Sequence, residues 1–413
     1  MNAFIPADIL LPQVEHMSKW AVIACDQFSS NPAYWQRVRE TAADAPSCIN
    51  LILPEAELGT PQEEAHTALI NETMTRYLRE NVFRTYHDAF VYVERTLASG
   101  AIRKGLIGMV DLDAYDYSEG STSAIRATEK TVVERIPPRM RVRRDAPVEL
   151  PHILMLCDDH EKVLLEPITA VKETLPKLYD FDLMEDGGHI AGWLVQGEAV
   201  KAFAQRLTDY TASVGKKYEG LPGEPMVFAV GDGNHSLATA KSCYEERKAA
   251  DPGADLSNHP ARYALVELEN IHDEAQVFEP IHRVVFKTDA QKLLADLKAS
   301  CCAEGGFPVT WYIGSESGVV YLDRARSQLA VGVLQSFLDT WLAENPGEID
   351  YIHGDDDLRQ LAEQENAIGF LLPAMEKSQL FRGVIADGIL PRKTFSMGHA
   401  REKRYYLEGR VIK

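Results

Sequence analysis

The residues best suited to chemistry lie together at 231–236, Gly-Asp-Gly-Asn-His-Ser, between the apolar run PMVFAV (225–230) and the run LATAKSCYEERKAA (237–250). Gly231 and Gly233 allow backbone N–H groups to approach a ligand closely. A helix starting there would present unpaired N–H groups and the positive end of its dipole. Asp232, Asn234, His235 and Ser236 place polar side chains at the same spot. Such a turn suits a phosphate or another anion. It equally suits a tight strand-to-helix turn in which Asn234 or Ser236 is an ordinary N-cap.

A second group lies in ATEKTVVERIPPRMRVRRDAP (127–147), where Arg135, Arg139, Arg141, Arg143 and Arg144 crowd together. If RMRVR is extended, Arg139, Arg141 and Arg143 share one face, because side chains alternate along a strand. Three guanidiniums on one face would attract phosphate. In a chain with 62 acidic residues, they would otherwise pair with the protein's own carboxylates. Glu129, Thr131 and Glu134 precede this cluster; a carboxylate there could hold Mg²⁺ or deprotonate a hydroxyl, or could simply be solvated. Asp26 ends the run WAVIACD (20–26), and strand ends commonly line α/β clefts. His282 and Arg283 interrupt the apolar PIHRVVF (280–286), either as a core hydrogen-bond node or as ligand contacts.

Several chemistries are excluded. The turn lacks the third glycine and the later acidic strand end of a dinucleotide fingerprint, and there is no Walker A sequence. GSESG (314–318) centres on Glu316 rather than serine, so it is not a hydrolase elbow. No HExxH or EF-hand loop occurs. The net charge of −19 repels phosphate backbones at long range, which argues against nucleic-acid and anionic-membrane partners. Six cysteines (25, 48, 157, 243, 301 and 302) are too sparse for a disulfide scaffold and are not at zinc-ligand spacing. The N-terminus carries Asp8 in its apolar stretch and does not read as a signal peptide, so a reduced, cytoplasmic protein is expected.

Positioning these residues requires a mixed α/β architecture. Strands are expected at 20–26, 48–54, 88–97, 105–115, 149–159 and 225–230, with a hairpin over 177–196 turning at Gly187-Gly188. Helices are expected at 33–42, 61–81, 198–214 and 237–250, then near 289–299, 331–344 and 356–365. Strands including ARYALVELENI, IHRVVF, VTWYI and VVYLD fill the tail. A length of 413 residues suggests two lobes, with seams at the loops 218–225 and 251–260. The expected division is 1–255, carrying the glycine turn, and 256–413, completing the cleft.

The pieces ACDQFS (24–29), GLIGMVDLDAYD (105–116), IRATEKTVVERI (125–136), VGDGNHSLATAK (230–241), PIHRVVF (280–286) and LPRKTF (390–395) span nearly the whole chain. In type and order they resemble a widespread bacterial and archaeal family long classed as a domain of unknown function. That family includes free-serine kinases and has a core similar to ParB and sulfiredoxin. The resemblance implies a nucleotide-binding core of that kind, elaborated by a second mixed-sheet lobe, with phosphates at the helix start near His235. The family signature there reads Asp-Gly-His-His-Arg. Asp232, Gly233 and His235 match it, while Asn234 replaces the first histidine and Ser236 the arginine. Loss of that arginine removes a contact worth ~1.5–3 kcal/mol. Sulfiredoxin uses a cysteine where this chain has Asn234, so sulfinic acid reduction is not expected.

By this resemblance the chain is a nucleotide-dependent small-molecule phosphotransferase, acting on a hydroxy amino acid such as serine, with ADP or ATP and Mg²⁺ as cofactors. Asp232, His235, Glu129 and Asp26 would be the catalytic candidates. Gly231, Gly233, Asn234, Ser236, Arg126, Thr131, Arg139 and Arg283 would bind nucleotide or phosphate. The alternative is a nucleotide-binding regulator or weak NTPase without a phosphoryl acceptor. An oligomer is compatible with either.

Overall fold

The protein is described from a computed structural model covering residues 2–413 except Val132, Pro151 and Pro222, which belong to the 127–147, 149–159 and 218–225 segments. It is a mixed α/β fold built on two sheets. The large sheet is organised by the long antiparallel pair Phe83–Thr96 and Ile102–Asp111, which turns through Gly100 at φ +83°. On one side lies the hairpin Lys177–Asp182 and His189–Val195. On the other follow Tyr263–Asn270, Leu154–Cys157, Phe228–Asp232, Ile125–Ala127 and Tyr115–Asp116. Phe90 and Tyr92 pack into one core and Val91 and Val93 into another. Strand alternation therefore gives this sheet an apolar layer on each face.

The smaller sheet orders its five strands as Glu316–Leu322, Phe307–Ile313, Ile368–Leu371, His282–Phe286 and Glu348–Ile352. The loop 251–260 leads into Tyr263–Asn270, which sits inside the large sheet, and the small sheet begins at His282. The last segment of chain then returns to the large sheet's side. Phe395–Met397 pairs with Phe278–Pro280, Tyr405–Tyr406 with Val22–Ile23, and Arg410–Val411 with Val148–Glu149. Arg95 secures this return by donating to the carbonyls of Gly187, Arg401, Glu402 and Lys403.

Buried ion pairs tie the same segment down. Arg404 meets Glu267 at 2.7 Å and also Glu408. Glu149 accepts from Arg410 and from the Leu265 amide at 2.9 and 2.8 Å, and from Arg143. No helix among the described residues is long and apolar enough to cross a membrane.

Three sequence expectations change. The arginine-rich run is not extended: Ile136–Asp145 is a helix, with proline in its first turn. There the missing N–H costs nothing, and Arg and Met propagate the helix well. Arg139, Arg141, Arg143 and Arg144 therefore fan out to Glu55, Glu63, Glu149 and Glu246. CINLILP forms a short 3₁₀ turn, Cys48–Leu51, rather than a strand. Its apolar side chains face a core without a partner strand. WAVIACD contributes only Val22–Ile23 as strand. The helix Lys377–Asp387 was not anticipated.

Candidate functional site

Helix Asn234–Ala250 begins directly where strand Phe228–Asp232 ends. The joint is Gly233 in the left-handed region, φ +79° and ψ 26°, and it is the N-cap. A Cβ at Gly233 would lie 3.0 Å from Ile153 Cα, and one at Gly231 2.8 Å from Leu156. The left-handed backbone and the nearby main chain favour glycine at Gly233, and at Gly231 a Cβ would have to displace the Leu156 and Met397 side chains. No side chain caps the helix, so the N-cap role open to Asn234 or Ser236 is filled by Gly233. Asn234 Oδ1 is buried with no hydrogen-bond partner among the described residues. Ser236 Oγ lies 2.9 Å from His152 Nε2.

This helix start opens into a cleft of about 900 Å³ between the two sheets. Residues 231–236, Asp26, Glu55, Glu129, Arg135 and Arg139 line it from the large-sheet side. Glu279, His282, His353, Asp355, Arg392, Lys393 and Lys403 line it from the small sheet and the returning segment. Lys403 reaches across to Asp232 at 3.3 Å, and Arg139 pairs with Glu55 at 2.8 Å. Among the described residues, Arg135, Arg392 and Lys393 make no ion pair, and neither do Asp26 and Glu129 in the same cleft; Lys393 and Arg392 act on Glu129 through their fields.

The field inside the cleft shifts its titratable groups. Burial raises the Glu129 carboxyl and Asp232 adds to the rise, while Lys393 and Lys403 oppose it. Burial lowers the His235 imidazole, reinforced by Arg139 and Arg135. His152 is 8% exposed, and burial lowers it against the opposing fields of Asp26 and Asp232. His282 accepts at Nδ1 from the Leu372 amide, so its Nε2 carries the proton and donates to Asp355 at 3.1 Å. Cys25 borders an adjoining apolar cavity of about 160 Å³, but burial pushes its thiol up to about 12. It is thus not a thiolate nucleophile at neutral pH.

Of the residues singled out from sequence, Asp26, Glu129, Arg139, Gly231, Asp232, Gly233, Asn234, His235 and Ser236 line this one cleft. Three do not. Arg126 is buried and donates to the carbonyls of Ser123, Glu224 and Pro225. Arg283 is 0% exposed and donates to Gln335 and to the carbonyls of Ile281, Arg392 and Lys393. It is the core node of its strand, and it shapes the cleft by fixing the backbone that carries Lys393. Thr131 is buried, its hydroxyl without a partner among the described residues.

His152, Lys393, Lys403, His353 and Asp355 were missed. Only LPRKTF hinted at one of them; Asp355 opens the helix Asp355–Ala362, and nothing in its sequence says that this helix start faces the cleft. Among the described residues no group of three or more His, Cys, Asp or Glu is placed to hold a metal ion.

No curated protein matches the chain. Solved structures do. A free serine kinase in complex with AMP is 13% identical, with 74% of this chain and 90% of that chain covered, at a TM-score of 0.36. SbnI from Staphylococcus aureus, with a C-terminal truncation, is 12% identical over 71% and 83%, at 0.35. A conserved hypothetical protein from Pyrococcus furiosus is 12% identical over 72% and 90%, at 0.33. The sequence pattern of the family described as "Protein of unknown function (DUF1015)" matches residues 6–388, from the first paired strands through both walls of the cleft to the helix Lys377–Asp387, and the chain belongs to that family.

Proposed function

We propose that the protein is a nucleotide-dependent phosphotransferase acting on a small hydroxylated acceptor, with a hydroxy amino acid such as serine as the first candidate. The observation that carries this reading is the convergence of the Gly233 helix start, Arg139, Lys393 and Lys403 with Glu129 in one cleft. They come from three separate stretches of the sequence, 129–139, 233 and 393–403, and together they combine anion-binding groups with a group able to take a proton. The free serine kinases bound to AMP or ADP direct the choice of nucleotide, ADP or ATP, and of acceptor.

The donor set suits a polyphosphate. Backbone N–H groups at the helix start and the side chains of Arg139, Lys393 and Lys403 hold phosphate oxygens and neutralise developing charge. The nucleotide supplies the phosphoryl group. His235, its imidazole lowered by burial, meets this ligand uncharged near neutral pH. Glu129 makes no ion pair among the described residues, and burial raises its affinity for a proton, so its carboxylate takes the acceptor's hydroxyl proton. Mg²⁺, if used, would come with the phosphates and need only one or two carboxylates, such as Asp26 and Asp232.

The test is turnover of ADP and of ATP with a panel of hydroxy amino acids. Glu129→Gln should lower turnover ~10²–10⁴-fold while nucleotide binding persists. Absence of nucleotide binding in the wild type would end this reading. One observation favours the second reading, a nucleotide-binding regulator or weak NTPase: Ser236 stands where the resembling kinases carry arginine. Tight binding without any phosphorylated acceptor would select it.

A further inference from the structure

Ser236 is the third residue of helix Asn234–Ala250, and its hydroxyl is not used in capping. Its hydrogen bond is to His152 Nε2 at 2.9 Å. His152 precedes strand Leu154–Cys157 and is held edge-to-face against Tyr406, ring centres 5.2 Å apart. Ser236 lines both the large cleft and the smaller apolar cavity, which His152 also lines. The serine–histidine pair therefore stands in the wall between them, at the point where the anion site begins.

We propose that Ser236 is itself a phosphoryl acceptor, with His152 as its base, so that the cleft phosphorylates the start of its own helix. The proposal rests on the nucleotide-binding reading above. A hydroxyl becomes a competent nucleophile when an adjacent base takes its proton, and 2.9 Å is within the required reach. Burial keeps the imidazole neutral and able to accept. The fields of Asp26 and Asp232, which oppose that shift, stabilise the imidazolium as it forms.

In the step, Ser236 Oγ bonds to the terminal phosphorus of a nucleoside tri- or diphosphate, and the bridging P–O bond breaks. The shortened nucleotide leaves with the bond's electron pair. The hydroxyl proton passes to His152 Nε2 and then to water. The phosphoserine dianion would sit at a helix N-terminus, in a cleft that Arg139 also lines, and both favour it.

The experiment incubates the full chain with ATP or ADP radiolabelled in the terminal phosphate, while calorimetry measures binding of the same nucleotides. The expected result is an acid-stable label that peptide mapping places on Ser236. It should be absent from Ser236→Ala, present in Ser236→Thr, and formed ~100-fold more slowly in His152→Gln. Mapping the wild type needs no variant to fold. If nucleotide binds but no acid-stable label forms, or the label maps elsewhere, the proposal is overturned and the nucleotide reading survives. If no nucleotide binds, both fall.

Discussion

Arg143 and Arg139 stand on one helix, a single turn apart, and serve different regions of the molecule. Arg143 enters a closed knot with Glu149 and Arg410, where the Leu265 amide also donates to the carboxylate. Arg139 reaches the cleft, where it has Glu55 beside it and open volume in front. In the knot, residues that meet only on folding satisfy one another. In the cleft, cations and carboxylates line the same open volume, and Arg135, Arg392 and Lys393 form no ion pair among the described residues. The two guanidiniums differ less in their own bonds, Arg143 to Glu149 and Arg139 to Glu55 and the Arg135 carbonyl, than in the carboxylate each meets: Glu149 is also held by Arg410 and the Leu265 amide, whereas Glu55 lines the open cleft.

Breaking the knot should have the largest effect. Glu149→Gln leaves two guanidiniums facing a neutral amide in a buried site, and removal of one partner of such a group costs about 3–5 kcal/mol. Denaturant titration should show that loss. Opening the cleft's cationic side should instead leave stability nearly intact. Arg139→Ala and Lys403→Ala should each weaken nucleotide binding by ~1.5–3 kcal/mol, or roughly 10- to 100-fold, by calorimetry. Gly233→Ala lies between the two classes. Its Cβ in the left-handed region costs ~1–2 kcal/mol, and the shifted helix start should weaken binding as well.

Acid should separate the regions by pH. His152, His235 and His282 all have lowered values in the folded state, with burial the main cause. At these three sites the folded protein binds fewer protons than the unfolded chain, and their stability contribution is lost as pH falls below about 6.5. Burial raises Glu149, but Arg143 and Arg410 outweigh it and hold the carboxyl below its usual value. Its contribution is kept above about 4.3 and fails only as pH drops further. Melting curves from pH 8 to 3 should show two falling phases, and a single phase near pH 4 would contradict the assignment of the histidines. The smallest effect is expected from Arg144→Ala. Its pair with Glu246 is exposed, and nucleotide affinity should not change.

Much of the glycine turn was legible in sequence because it depends on local rules. Gly231 and Gly233 sit where a Cβ would collide, and the apolar strand and the helix on either side have clear patterns. The convergence of Asp26, Glu129 and the turn was legible only through the family pattern, since nothing local records that distant segments meet. RMRVR leaves its conformation open, because alternation of five residues fits a strand as well as one turn of helix; the preceding prolines decide for the helix, and the pairing of these arginines with the protein's own carboxylates is what the structure shows. Arg283 stood out as a charge in an apolar strand, but the carbonyls that satisfy it come from 392 and 393 and could not be foreseen. His152 gave no signal, because its partner Ser236 is 84 positions away.

The segment that carries Lys403 into the cleft and is tethered by Arg95 also has a consequence in time. Its strand partners lie at Val22–Ile23 and Val148–Glu149, so its contacts span most of the chain and close among the largest loops in the protein. At ~5–20 residues per second, the earlier strands wait on the order of 20–80 s before these residues are made. A nucleotide that depends on Lys403 therefore cannot act as a template for the nascent sheets. It can be held only once this segment has been made and has paired with the earlier strands, so its binding would report whether that pairing has formed.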